Sequence, residues 1–147
     1  MPLLHLPESL SDRRRIAAGT LAPLAASLTA DLERAVTARI VVPREKALLS
    51  RAGGYCERDG TPLAFDPWSP HEHRCPRCGE VHRGALHDRW WLYPYQLWLA
   101  ERTVHAATLY ALGGDARHAN FAADILDQYA TAYLQYPNRD HVLGPTR

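Results

Sequence analysis

The stretches Cys56-Glu57-Arg58-Asp59-Gly60 and Cys75-Pro76-Arg77-Cys78-Gly79 write one pattern twice, Cys-x-Arg-(Asp or Cys)-Gly. Two donor side chains three residues apart, followed by a glycine that permits a backbone twist, make a tight turn that offers both donors to one metal ion. Two such knuckles separated by a short hairpin form a zinc ribbon. The second knuckle is complete, and the first carries Asp59 where a second cysteine usually stands. A carboxylate ligates zinc at about 2.0–2.2 Å, so Cys56, Asp59, Cys75 and Cys78 are a chemically admissible set. His73, just before Cys75, and His82, just after Cys78, compete for the fourth place, and Cys3His is the more usual combination. The echo between the two knuckles is what favours Asp59. A closed set of four protein ligands leaves no position for water or substrate, so the expected role of the zinc is structural and not catalytic. The plainer alternative is that Asp59 caps a turn in a knuckle that binds nothing.

The cluster lies in a zone, residues 53–88, that differs from both flanks. It holds all three cysteines and is rich in Gly, Pro and Asp, so short strands joined by tight turns are expected, for instance over Pro62 to Phe65. Residues 1–52 read as helical, with Ser11 a plausible N-cap. Leu21, Leu24, Leu28, Leu32, Val36 and Ile40 recur at steps of three and four, and Pro43 can open a short helix over 44–51. Residues 89–137 are helical again. Tyr95, Leu99, Arg102, Ala106, Leu109 and Leu112 fall on helical steps up to the stop Gly113-Gly114. Asp115 then caps a second helix bearing Phe121, Ile125, Tyr129, Ala132 and Tyr136. Helices joined by so short a turn are expected to run antiparallel as a hairpin. His118 is expected to face solvent, and residues 138–147 to form an extended tail. The whole is read as one domain, or a fragment of one, of mainly α class with a small ribbon-like β hairpin inserted.

Composition limits the function. The 147 residues are 46% hydrophobic, enough for a packed core. Lys and Arg number 17 against 16 Asp and Glu, and the resulting net charge of +1 weighs against a nucleic-acid binder. No apolar run approaches the roughly 20 residues of a membrane span. An odd cysteine count with one close pair argues for a metal site in a reducing compartment, and no signal-peptide pattern opens the chain, so a cytoplasmic location is expected unless the N-terminus was trimmed.

Two further stretches are dense in functional side chains. Residues 90–98 concentrate Trp90, Trp91, Tyr93, Tyr95 and Trp98. Such rings either build core with their indole N–H groups bonded, or form a wall on which the apolar face of a sugar stacks. Trp90, Trp91, Tyr95 and Trp98 are the candidate saccharide-binding residues. Tyr136-Pro137-Asn138-Arg139-Asp140-His141 follows a helix end, where functional loops often lie.

Taken in order, several segments form one series: Gly53-Gly54-Tyr55-Cys56, His73-Arg74-Cys75-Pro76-Arg77-Cys78-Gly79, Trp90-Trp91, the Leu-Trp-Leu-Ala-Glu-Arg run at 97–102, Tyr136-Pro137-Asn138-Arg139-Asp140 and Leu143-Gly144-Pro145-Thr146-Arg147. The series resembles the N-terminal part of bacterial heparinase II/III-like proteins, from about Ala38 to the end. The resemblance implies a polysaccharide lyase built on an (α/α) toroid, of which this chain is the opening, incomplete portion. It also implies the rest of a longer chain, or self-association, to cover the open helix face. The implied substrate is an acidic, uronic-acid polysaccharide cleaved by β-elimination. In that chemistry Asn138 and Arg139 have the character of carboxylate neutralisers, and Tyr136 and His141 of acid or base. His141 stands where the resemblance leads one to expect an amide.

Two rival readings are carried beside this one. A helical scaffold or binding module could use the ribbon to engage a protein or nucleic acid, although no second copy of 89–137 supports a repeat array. A zinc hydrolase would need an open metal position.

Overall fold

The computed structural model describes residues 7–47, 50–136, 139–140 and 144–145. It is mainly helical, with α1 (Pro7–Ala18), α2 (Ala22–Thr37), α3 (Ala85–Gly113) and α4 (Ala116–Tyr133). Between α2 and α3 lies the ribbon region, whose strands β1 (His73–Arg74) and β2 (Val81–His82) pair antiparallel. A second antiparallel pair, β3 (Arg139–Asp140) with β4 (Gly144–Pro145), lies in the segment read as an extended tail. The chain forms two compact units, one of the residues up to Val41 with Ala100–Ala130, the other of Val42–Leu99 with the residues from Thr131 onward. No helix among the described residues is long and apolar enough to cross a membrane.

In the first unit, α1 begins at Pro7, so Ser11 lies inside the helix and is not its cap. Proline is suited to a first helical turn because its missing N–H would be unpaired there anyway. The chain breaks at Gly19, whose N–H reaches back to the carbonyls of Arg15 (3.1 Å) and Ile16 (3.2 Å). Pro23 then sits in the opening turn of α2. Of the leucine stripe, Leu32 is buried completely, whereas Leu21 and Leu24 are exposed. The buried face of α2 is completed by Ala35. At the other end of the unit, Gly114 adopts φ 79° and returns its N–H to Tyr110 (2.7 Å), closing α3 where the glycine pair predicts. The Asp115 carboxylate accepts the backbone N–H of Arg117 (2.9 Å) and caps α4. His118 is only 4% exposed, a correction to the solvent-facing expectation. It shares the face of Phe121, Ala122 and Ile125, because positions three, four and seven apart lie on one side of a helix.

In the second unit, α3 starts at Ala85, ahead of the expected Arg89. Gly84, at φ 110°, presents its carbonyl to the N–H groups of His87 and Asp88, both at 3.0 Å. His87, Trp91, Tyr95 and Leu99 then recur every four residues as a buried stripe. The short helix expected over 44–51 is absent among its described residues, which form bends and irregular chain. A two-turn helix has too few hydrogen bonds to offset its nucleation cost unless packing supports it. The strand expected at Pro62–Phe65 is reduced to a single bridge between Tyr55 and Pro62. The Leu63 N–H still bonds Gly54, and the Ala64 N–H bonds Arg74, each at 2.9 Å.

Candidate metal centre

The two knuckles fold as the same turn. The Cys56 N–H bonds the Thr61 carbonyl (2.8 Å) and the Gly60 N–H returns to Cys56 (2.9 Å). The Cys75 N–H likewise bonds Glu80 (2.8 Å), and the Gly79 N–H returns to Cys75 (3.0 Å). Gly60 and Gly79 take φ of 68° and 76°, values that an L side chain adopts only with strain. The repeated Cys-x-Arg-x-Gly sequence is therefore a repeated backbone.

These turns bring one donor atom each from Cys56, Asp59, Cys75 and Cys78 within 4.8 Å of one another, so the four could hold a metal ion. Cys56 Sγ lies 3.7 Å from Cys78 Sγ, and Cys75 Sγ lies 3.7 Å from both Asp59 oxygens. A tetrahedral ion about 2.3 Å from each sulfur would set sulfur pairs roughly 3.8 Å apart, so the spacing suits such an ion. Cys56 and Cys75 are buried, and Cys78 is the most open cysteine. Leu63 and Trp90 pack against them as a small apolar core.

The donors differ in charge state. Burial pushes the Cys56 thiol up to about 11. Burial also opposes ionisation of Cys75, but backbone N–H groups of Cys78 and Arg77 outweigh it and bring that thiol below its ordinary value. Asp59 accepts the Thr61 N–H at 2.9 Å, and this bond lowers its carboxyl to about 2. Asp59 thus caps its turn with one oxygen while standing in the donor cluster.

The histidine alternatives for the fourth place are positioned differently. His73 is 1% exposed and its Nε2 meets Asp88 Oδ1 at 2.9 Å. The other Asp88 oxygen meets His71 Nδ1 at 2.8 Å. Partial burial works against the Asp88 anion, yet the two imidazoles hold its carboxyl below the usual range. His73 is therefore tied to the first turn of α3 and outside the four-donor cluster. His82 Nε2 lies 3.3 Å from Cys56 Sγ, and His82 forms a second three-donor group with Cys56 and Glu80. His87 donates through Nδ1–H to the Gly53 carbonyl (2.6 Å), and its Nε2 stands 3.5 Å from Glu57. Asp88 and His87 were not singled out by the sequence reading. Their only sequence signal is that histidine and acid stand side by side at 71–73 and 87–88, which no ligand spacing rule selects.

The aromatic stretch is divided by the helix that carries it. Trp91 and Tyr95 are buried and stack with ring centroids 4.2 Å apart, and the Trp91 indole donates to the Asp66 carbonyl (2.7 Å). Trp98 is half-buried, stacked on Tyr95 (5.6 Å) and edge-on to Trp68 (5.5 Å). Trp90 is half-buried and meets His73 edge-on at 5.8 Å. The exposed ring of the stretch is Tyr93. Of the 136–141 cluster, the Tyr136 hydroxyl donates to the Pro43 carbonyl (2.7 Å), and burial raises its phenol above the ordinary value. Asn138 and His141 lie outside the described residues, and Arg139 is described through its backbone alone. Comparison of the chain with protein families, with curated proteins and with solved structures returns no match.

Proposed function

We propose that this chain is the N-terminal segment of a lyase that cleaves uronic-acid polysaccharide by β-elimination, with a structural zinc ion holding its ribbon. The observation that carries the metal half is the cluster of Cys56, Asp59, Cys75 and Cys78, four donors within 4.8 Å on two copies of one turn. Three soft thiolates and tetrahedral spacing favour zinc over the hard cations, which take oxygen ligands. Four protein ligands make the site closed, so the ion contributes folding free energy and not a reactive water. The lyase half is supported by the ordered motif series and by the helical frame. In this reading α3 and α4 form the first hairpin of an (α/α) toroid, and the remaining hairpins come from further chain or from self-association.

In β-elimination a base removes the proton beside the uronate carboxylate. The neighbouring carbon–oxygen bond then breaks, a carbon–carbon double bond forms, and an acid protonates the leaving oxygen. Asn138 and Arg139 would neutralise the carboxylate, which makes that proton removable, and Tyr136 and His141 would exchange the protons. Trp90 and Trp98 keep partly open ring surface for the saccharide, and Tyr95, itself stacked on Trp91, backs Trp98 from the core.

Elemental analysis of purified chain, wild type and Asp59→Ala in parallel, tests the metal. One zinc per wild-type chain and weakened retention in the variant are expected. Full retention by Asp59→Ala, with loss in His82→Ala, would move the fourth ligand to His82. No zinc in reduced, freshly prepared wild type would overturn the structural-zinc reading. For the lyase, the complete gene product is expected to generate unsaturated uronate, followed as new ultraviolet absorbance, on one of a panel of uronic-acid polymers. Silence on the whole panel would sink the enzyme reading.

A further inference from the structure

On the exposed side of the ribbon unit, Arg51, Tyr55, Trp90 and Tyr93, with Pro62 and Pro94, line a cleft of about 240 Å³. We infer that this cleft binds one uronate sugar ring, its apolar face against the aromatic rings and its carboxylate on Arg51. The inference rests on the lyase reading, which supplies the substrate class, and it adds Arg51, Tyr55 and Tyr93 to Trp90 as saccharide contacts.

The floor of the cleft is fixed in advance. Trp90 packs on Cys56, Leu63 and Cys75, and its indole lies so close to Gly54 that a Cβ there would collide with the ring. Tyr55 directly precedes the ligand Cys56, and its backbone is bridged to Pro62. The metal knuckle therefore holds one wall of the cleft. Tyr93, one turn beyond Trp90 on α3, also lines the cleft. Tyr55 is 43% and Tyr93 45% exposed, and neither ring has a ring partner among the described residues.

The chemistry of the lining selects the ligand. Flat rings match the C–H face of a pyranose, and the two phenol hydroxyls can meet its hydroxyl groups. Among the described residues, Arg51 is the one charged residue lining the cleft, and no carboxylate lines it. An aromatic recess with a single guanidinium disfavours the quaternary ammonium ligands that aromatic cages otherwise take, and favours an anion. The volume suits one ring and not the extended groove that a proline-rich peptide needs.

The test uses the complete 147-residue chain loaded with zinc. Its Trp90 indole N–H signal is followed by NMR during titration with oligogalacturonate, hyaluronan and alginate oligomers, each paired with its carboxyl-reduced counterpart. At least one uronate oligomer should shift that signal. Carboxyl reduction and Arg51→Ala should each weaken binding by about tenfold or more, the scale of one charge-assisted hydrogen bond. Tyr93→Ala should abolish the shift, while Tyr110→Ala, which alters an exposed tyrosine elsewhere on α3, should bind as wild type. Stripping the zinc should abolish binding together with the signal's native position. No shift with any uronate, equal binding of the reduced oligomers, or preference for a proline-rich peptide would overturn the cleft assignment. Elimination by the complete gene product with KM unchanged in Arg51→Ala and Tyr93→Ala would overturn the cleft and leave the lyase reading standing. Uronate binding here without elimination on any polymer would do the reverse.

Discussion

Adding one methyl group at Gly54 tests how tightly the ribbon core is seated on α3. A Cβ at that position would fall against Nε1 of the Trp90 indole, with Cδ1 at 2.5 Å and Cε2 at 2.9 Å. An indole is rigid, and this one is backed by Cys56, Leu63 and Cys75, so moving it away from the methyl disturbs that packing. Gly54 is also held by its own N–H to Arg51 (3.0 Å) and by the Leu63 N–H to its carbonyl (2.9 Å). The strain cannot be shed by moving the backbone without breaking one of these bonds. Overpacking of this kind costs typically 1–3 kcal/mol, and an additional broken bond adds about 1 kcal/mol. Gly54→Ala is therefore expected to destabilise the second unit by about 2–4 kcal/mol. For a unit of 60–100 residues that corresponds to a fall in Tm on the order of 10–25 °C. Urea unfolding followed by tryptophan fluorescence supplies the number. Trp90→Leu in the same chain removes the ring that the methyl meets, so the two substitutions should cost less together than the sum of their separate effects. Strict additivity, or a Gly54→Ala cost under about 0.5 kcal/mol, would refute the packing argument.

Three other outcomes follow from the same structure. Leu99→Ala should cost about 2–5 kcal/mol by chemical denaturation, because Leu99 is fully buried and its removal leaves a cavity. Asp115 is held below its ordinary carboxyl value by the Arg117 side chain and backbone N–H, so its stabilising contribution is complete above the unfolded pKa near 3.8. The stability difference between wild type and Asp115→Asn, measured by thermal melts across pH, should stay level from pH 7 to 5. It should then shrink as pH falls through 3.8 towards the lower folded value. Tyr136→Phe deletes the donor to the Pro43 carbonyl and should cost about 0.5–1.5 kcal/mol in a denaturation series. If Tyr136 transfers a proton in elimination, the same change in the complete gene product should lower kcat by about 100-fold or more.

Where a feature depended on residues adjacent in sequence, it was readable in advance. The twin knuckles, the Gly113-Gly114 stop and the Asp115 cap are all local chemistry, and the structure contains each of them. Tyr95, Leu99, Ala106 and Leu109 were readable for the same reason, because helical spacing alone places them on one side. What was not readable depended on partners far along the chain. His73 competed with Asp59 as a ligand by proximity to Cys75, and its bond to Asp88, contributed by the following helix, places it elsewhere. His118 was misplaced because a polar residue type suggested the surface, whereas the face it shares with Phe121 and Ile125 carries it inward. The leucine stripe of α2 failed at Leu21 and Leu24 because periodicity says which residues share a face, not how much of that face is covered. Trp90 and Trp91 are neighbours that no composition rule separates. The helix rotation of roughly 100° between them sends one to the core and leaves the other half open.

The duplicated turn also sets an order in which the clasp should open. Each half is closed by its own pair of backbone bonds, so neither needs the other to keep its shape. In the proposed zinc site one half would offer two sulfurs, and the other a sulfur and a hard oxygen that the Thr61 N–H already engages. Metal exchange should therefore begin at Asp59, pass through an ion hanging on the Cys75–Cys78 half, and finish there. A competing thiol is then expected to form a mixed complex on the intact second turn before the ribbon lets go. Stopped-flow exchange would register that as two phases, the first accelerated in Asp59→Asn and the second unchanged.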